Sequence, residues 1–241
     1  MEVLAADGFA LAGSGAIREH GIINRPTENI DLFTSREYAA NFTQAVAAVT
    51  TAFESHDMIV EAQRVVSEYA RLNVTLPDQR EISVDLGVDW RADPPVSLDI
   101  GPVLSLPDSI GNKVAALYSR GEPRDFLDVD SIRQSGKASV GDLEAAAAQA
   151  DLGFDRSMFA ARLETVVRIS QRDVEPYGIA SSDLLQIRER FLSWASAIRN
   201  PAPQTRRDLL DELDERTTRH NDDETRLDEP PQPKRAHRKR G

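Results

Sequence analysis

L-A-G-S-G-A-I-R-E-H-G at residues 11–21, followed by R-P-T-E-N-I-D-L-F at residues 25–33, is the stretch on which the reading turns. Phe9 to Ala12 is a short apolar run of the kind that forms a buried strand. Gly13-Ser14-Gly15 interrupts it as a turn, and Ala16 to His20 reads as the start of a helix. Pro26 and Thr27 then precede a second strand, Asn29 to Thr34. Positions i and i+2 of a strand face the same side, so Ile30 and Leu32 are expected inward and Asn29 and Asp31 toward a shared space. Glu81 to Val88 alternates in the same way: Ile82, Val84 and Leu86 fall on one face, Ser83, Asp85 and Gly87 on the other. Asp85 is thus a candidate to join Asn29 and Asp31. Oxygen ligands converging from neighbouring strands are what a hard cation such as Mg²⁺ requires. Taken singly, either aspartate is better read as a solvated residue on an exposed sheet face. The order strand, Gly-Ser turn, helix, strand with a polar i/i+2 pair shifts that weighting. The Gly-Ser turn can also present backbone N–H groups and a hydroxyl to phosphate oxygens.

Outward from this centre, Ser35 is expected to cap a helix from about Arg36 to Ser55. Met58 to Val65 and Arg71 to Leu76 read as further strands, and the Pro-rich run Asp93 to Pro107 as a connecting loop. Helical patterns follow over 108–120, 124–134, 140–151, 155–171 and 182–198. Met1 to Asp7 suits the last turns of a preceding helix. The fold class is α+β: a mixed-sheet unit over 1–106, a helical unit over 107–200, and a charged tail over 201–241, read as disordered or loosely helical.

The 241 residues carry a net charge of −11, 40% hydrophobic and 29% charged side chains, and no cysteine. Disulfides, thiolate nucleophiles and cysteine zinc sites are therefore excluded. The acidity argues against a protein that coats nucleic acid non-specifically. It is unevenly spread, however: residues 208–229 hold ten acids against three arginines, and Lys234, Arg235, Arg238, Lys239 and Arg240 then reverse the sign. A local basic groove in the folded part is compatible with the total. With no long apolar span and no secretory pattern, no membrane partner is expected and a cytoplasmic location fits.

The second informative stretch is K-V-A-A-L-Y-S-R-G-E-P-R-D-F-L-D at residues 113–128. Lys113 and Arg120 lie seven residues apart, nearly two helical turns, and so project from one face. Asp125 and Asp128, three apart on the next helix, likewise share a side. Cations so placed suit phosphate oxygens, arginine offering a planar two-pronged contact. A weak surface salt-bridge cluster of Lys113, Arg120, Arg124 and Asp125 is the competing reading.

Together the two stretches resemble the signatures of the nucleotidyltransferase superfamily, and more narrowly the AbiEii/AbiGii-type toxins that include the MenT toxins. The first motif there is a Gly-Gly or Gly-Ser turn followed by Arg-x-Ser/Thr-x-Asp-Ile/Leu-Asp. The resemblance covers roughly residues 9 to 130. It implies a nucleotidyltransferase-like mixed-sheet domain with a helical companion, Mg²⁺, a nucleoside triphosphate (NTP) as substrate, and a cognate antitoxin as partner. Several such proteins modify tRNA at its 3′ end, so the expected activity is transfer of a nucleoside monophosphate to a tRNA or other RNA end. By position, Gly13 and Ser14 would cradle the triphosphate and Thr27 would sit beside the phosphates. Asp31, Asp85 and Asn29 would bind metal and carry catalysis, with Asp85 helping to deprotonate the acceptor hydroxyl. Lys113 and Arg120 would neutralise phosphate charge, and Asp125 belongs to the second, nucleotide-binding signature.

This chain departs from the pattern at Asn29, where the family has aspartate. An amide oxygen ligates Mg²⁺ without contributing charge, so three readings stay open: a weakened enzyme, a natural pseudo-enzyme, or a chain disabled by design. Transfer to a small molecule such as an aminoglycoside, and a non-catalytic nucleotide- or partner-binding module, are the alternatives. His20 reads as structural or exposed, His56, His220 and His237 lack metal spacing, Trp90 and Trp194 read as packing, and Phe33 shares the parity that borders the pocket.

Overall fold

The computed structural model describes residues 7–25, 27 and 29–201. The expected N-terminal helix end and nearly all of the charged tail lie outside them. The described residues up to Arg199 form one compact unit. Seven strands make one mixed sheet: β1 (Ala10–Leu11), β2 (Asn29–Thr34), β3 (Ile59–Val66), β4 (Tyr69–Thr75), β5 (Glu81–Val88), β6 (Val96–Leu98) and β7 (Gly101–Val103), in the spatial order β3-β4-β5-β2-β1-β7-β6. β2 runs parallel to β5 and antiparallel to β1, and β1 runs parallel to β7.

Three helical segments lie between β1 and β3: α1 (Gly13–Glu19) ahead of β2, then a 3₁₀ segment (Arg36–Asn41) and α2 (Phe42–Glu54) after it. Phe42, Ala45, Val46 and Val49 recur at helical spacing along α2 and are buried. They pack with Leu32, Leu72, Val74, Val84 and Leu86, the inward alternation of the central strands. The helical half is α3 (Leu106–Ser119), α4 (Pro123–Gln134), α5 (Val140–Ala150), α6 (Arg156–Glu164), α7 (Gln171–Val174) and α8 (Ser181–Arg199), with 3₁₀ turns at Thr165–Arg168 and Glu175–Tyr177. Its core includes Val114, Leu117, Phe126, Leu143, Phe159 and Phe191.

Local chemistry explains where the site-bearing helices start. Ser105 caps α3 by accepting from Asp108 N at 3.1 Å. Glu122 and Asp125 form a capping box around Pro123, the first residue of α4.

Several expected boundaries are corrected. Gly13-Ser14-Gly15 is not a turn ahead of the helix but its first turn. Ser35 makes no side-chain cap bond, and a 3₁₀ segment intervenes before α2. The run 93–107 contains the hairpin β6–β7, which hydrogen bonds onto β1. The helix expected over 155–171 ends at Glu164 and gives way to a 3₁₀ turn. Trp194 is buried, as its packing role requires, but Trp90 is 49% exposed. No helix among the described residues is long and apolar enough to cross a membrane.

Candidate active site

The register of the sheet assembles the centre of the site. Asp31 on β2 lies directly beside Asp85 on β5, and Asp85 lies opposite Arg71 on β4, so the three form one row across three strands. One row away, Asn29 pairs with Ser83, which pairs with Asn73. Phe33 occupies the row on the other side and does not reach the cavity: its ring covers Gly87, where an added Cβ would come within 3.2 Å of it.

Gly13 is fixed from the opposite direction. Its φ of +59° suits glycine, and a Cβ there would stand 1.9 Å from an Asp31 carboxylate oxygen. The first turn of α1 therefore closes against Asp31, with Ala12 N also donating to the Asp31 carbonyl at 2.8 Å. Burial pushes the Asp31 carboxyl above the ordinary range despite the opposing charge of Lys113, and the neighbouring Asp85 adds to the rise.

Asp85 sits in a different field. Arg71 grips it with two hydrogen bonds, Nε to Oδ1 at 2.7 Å and the second guanidinium nitrogen to Oδ2 at 2.8 Å, and Tyr69 donates to Oδ1 at 2.6 Å. Burial alone would raise its pKa, but these bonds and the Arg71 charge hold it below the usual carboxylate value. Its oxygens are thus already engaged, through a strand register that no local pattern declares.

Across from the sheet stand side chains of the loops and helices. Ser14, Arg25, Thr27, Asn29, Asp31, Arg71, Asp85, Lys113, Arg120, Arg124 and Tyr177 line a polar cavity of about 110 Å³. Among the described residues, five cations and two carboxylates face this space. The acids that hold most of the remaining cations stand behind it. Asp128 has no exposed side-chain surface; it accepts from Arg25 at 2.6 Å, from Ser14 Oγ at 2.7 Å, and pairs with Lys113 at 2.8 Å. Lys113 also donates to Ser14 Oγ at 2.8 Å. Burial works against the Asp128 charge, yet Lys113 and Arg25 hold its pKa below the ordinary value. Asp125, equally buried, receives both prongs of Arg120 at 2.7 and 2.8 Å. The ion pairs among these residues therefore exist, but around two buried carboxylates rather than as an exposed cluster.

Of the residues singled out from sequence, Ser14, Thr27, Asn29, Asp31, Asp85, Lys113 and Arg120 meet at the cavity. Gly13 lies beneath Asp31 and Asp125 behind Arg120. Arg25, Arg71, Arg124 and Tyr177 were missed. Arg25 opens the quoted R-P-T motif and was the one within reach; its guanidinium stacks 5.2 Å from the Tyr177 ring centre. His20 is structural, bonded to the Leu104 carbonyl at 2.8 Å.

Among the described residues, Asp31 and Asn29 offer a carboxylate and an amide oxygen to a hard cation, while Asp85 is engaged by Arg71. Among the described residues no group of three or more acidic or histidine side chains is arranged to hold a metal. The cavity is polar and cation-rich, and among the described residues the half-buried Asp31 carboxylate accepts no side-chain hydrogen bond.

Comparison with known proteins bears on the fold and the family. The chain resembles solved structures at low identity, which bears on the fold alone. MenT4, a nucleotidyltransferase toxin from Mycobacterium tuberculosis H37Rv, superposes with a TM-score of 0.50 at 13% identity, covering 80% of this chain and 79% of that one. A candidate nucleotidyltransferase from Helicobacter pylori gives 0.50 at 17% identity over 81% and 88%. JHP933 from Helicobacter pylori gives 0.49 at 17% over 91% and 90%. No curated protein matches by sequence. The family model for the nucleotidyl transferase AbiEii toxin of type IV toxin–antitoxin systems matches residues 1–219, so the chain belongs to the AbiEii nucleotidyltransferase toxin family.

Proposed function

We propose that this chain transfers a nucleoside monophosphate from an NTP to the 3′ end of an RNA, tRNA foremost. The observation that carries the reading is the in-register pair Asp31 and Asp85 facing Lys113, Arg120 and Arg124 across one small cavity. In the reaction the acceptor hydroxyl oxygen bonds to the α-phosphorus, the bond from that phosphorus to the β-phosphate oxygen breaks, and pyrophosphate leaves. Catalysis of this kind is mostly positioning and charge stabilisation. Lys113 and Arg120, held by buried carboxylates, supply fixed positive charge for the departing phosphates. Ser14 offers a hydroxyl already oriented by Asp128 and Lys113. Thr27 borders the same phosphates.

Asp31 and Asn29 fit a divalent cation as hard oxygen donors, and Asp85 joins them once Arg71 lets go. When bound, Mg²⁺ neutralises phosphate charge and favours ionisation of the acceptor hydroxyl. Asn29 supplies an oxygen without the family's negative charge, so we expect weakened transfer in this chain. Tyr177, beside Arg124 at the mouth, supports a nucleotide rather than bare polyphosphate as the occupant.

The test is incubation of this chain and its Asn29→Asp variant with Mg²⁺, each labelled NTP and total tRNA. Label on RNA is expected to rise about a hundredfold in the Asn29→Asp variant, the scale of one charge-stabilising group. An Asp31→Ala variant of the same protein should give none. Label on no RNA from either protein, or full transfer by Asp31→Ala, overturns the reading. An antitoxin partner and cytoplasmic residence belong to the same proposal.

A further inference from the structure

β3 is an edge strand, Ile59 to Val66, eight residues long and without proline. Among the described residues only β4 pairs with it, on one side. All of its residues but Val60 are exposed, including Ile59 at 62%, Val65 at 47% and Val66 at 44%. A long free edge invites strand addition, and charges or a bulge commonly guard it; this edge carries Glu61, Arg64 and a bulge among five apolar residues. The opposite edge, β6, has three residues.

The sequence of this edge is self-complementary. Read antiparallel to a copy of itself, I-V-E-A-Q-R-V-V sets Ile59 against Val66, Val60 against Val65 and Glu61 against Arg64 of the copy. Three residues apart in a regular strand, Glu61 and Arg64 would point to opposite faces. The bulge at Gln63 corrects this. It shifts the register so that Glu61 lies opposite Asn73 and Arg64 opposite Arg71, two β4 residues on one face. Ile59 and Val66 fall on that face too, opposite Thr75 and Tyr69. Neither Glu61 nor Arg64 has an ion-pair partner within the protomer's described residues. A two-fold axis beside Ala62 and Gln63 would therefore give two identical Glu61–Arg64 pairs, flanked by aliphatic contacts on both faces. Such an isologous contact is the commonest way for a chain to close on itself.

We propose that the chain forms a two-fold dimer through antiparallel pairing of β3 with β3 of a second copy, continuing the sheet across both protomers. Arg64 and Val66 lie opposite Arg71 and Tyr69, the residues that hold Asp85, so the contact borders the β4 side of the site.

Sedimentation velocity of the full chain tests this. The unaltered chain is expected to show a concentration-dependent dimer in the micromolar range. Glu61→Arg sets Arg against Arg, and Arg64→Glu sets Glu against Glu; each should weaken self-association about tenfold or more, because opposed like charges destabilise a strand pair. Mixing the two variants restores both pairs, so the mixture should form a heterodimer that neither forms alone. The double variant Glu61→Arg/Arg64→Glu should dimerise again. Both positions are exposed, and unchanged circular dichroism and melting temperature show that the variants fold. A chain that stays monomeric across the micromolar range overturns the proposal and leaves this edge to another protein's strand. A dimer indifferent to Glu61→Arg, or two folded variants that do not associate on mixing, overturns it as well.

Discussion

Asp128 shows how the site is held by a residue that never touches the cavity. Its side chain is fully buried and neutralises Lys113 and Arg25 while orienting Ser14. Replacing it with Asn removes the charge at nearly constant shape and takes from Lys113 its buried counter-ion. Breaking one side of a buried ion pair costs about 3–5 kcal/mol, so Asp128→Asn should lower unfolding free energy by about that much in a denaturant titration. The pH dependence has a definite sign. Because the folded-state pKa of Asp128 is depressed, its contribution is fully present above the ordinary carboxylate value of 3.8 and is lost as pH falls through the lower, folded value. The acid limb of the stability curve should therefore be shallower in Asp128→Asn; an unchanged limb would show that the pair contributes nothing. Asp31 has the opposite balance. Burial makes its charged form unfavourable, so Asp31→Asn should raise the melting temperature at neutral pH while removing nucleotide transfer. A drop in melting temperature would mean that the surrounding cations need Asp31 more than burial penalises it. These two aspartates look alike in the sequence and differ only in what the fold sets around them.

At the scale of elements, α3 and α5 approach so closely that Gly111 is a packing requirement. A Cβ on Gly111 would lie 2.7 Å from the Ala146 carbonyl oxygen, a backbone atom with little freedom to retreat. Alanine is the better helix former by about 1 kcal/mol, yet overpacking typically costs about 1–3 kcal/mol. Gly111→Ala should thus destabilise by up to about 2 kcal/mol, and a stabilised variant in the same melt would refute close contact between the two helices. Elements of this sort divide cleanly by legibility. β2 and β5 were readable because each alternates in period two and one face is buried, which fixes parity without knowledge of any partner. α3 and α4 were readable from their periodicity and their start signals. The hairpin β6–β7 was not: its strands are three residues long, V-S-L and G-P-V, so no period can declare itself. Arg71 was also hidden. Its grip on Asp85 depends on the register between β4 and β5, fourteen residues apart, which a turn sets and local pattern does not. Tyr177 reaches the cavity from a 3₁₀ turn late in the chain and carries no local mark at all.

In the whole molecule the cavity lies where sheet and helices meet, and α1 ties the two together. Ala16 packs into the sheet core while its neighbour Ile17 packs into the helical core, joined there by Ile23. Ser14, one turn earlier, is bonded to Asp128 and Lys113 of the helical half, and Lys137 reaches back to the His20 carbonyl. The two halves that the sequence suggests, divided near residue 106, therefore share buried apolar surface and a buried ionic centre. Separating them would expose Ile17 and Ile23 and take Arg25 and Ser14 away from Asp128, penalties that neither half offsets alone. We expect calorimetry to show one cooperative transition for both cores, and a fragment ending at residue 106 to lack a cooperative melt. A triphosphate that bridges Lys113 and Arg120 to the Asp31 strand should stabilise that single transition as a unit, by about 2.7 kcal/mol at a hundredfold excess over its Kd. Two resolved transitions, with only the later one moved by NTP, would show that the halves fold separately and that the ligand rests on the helical one alone.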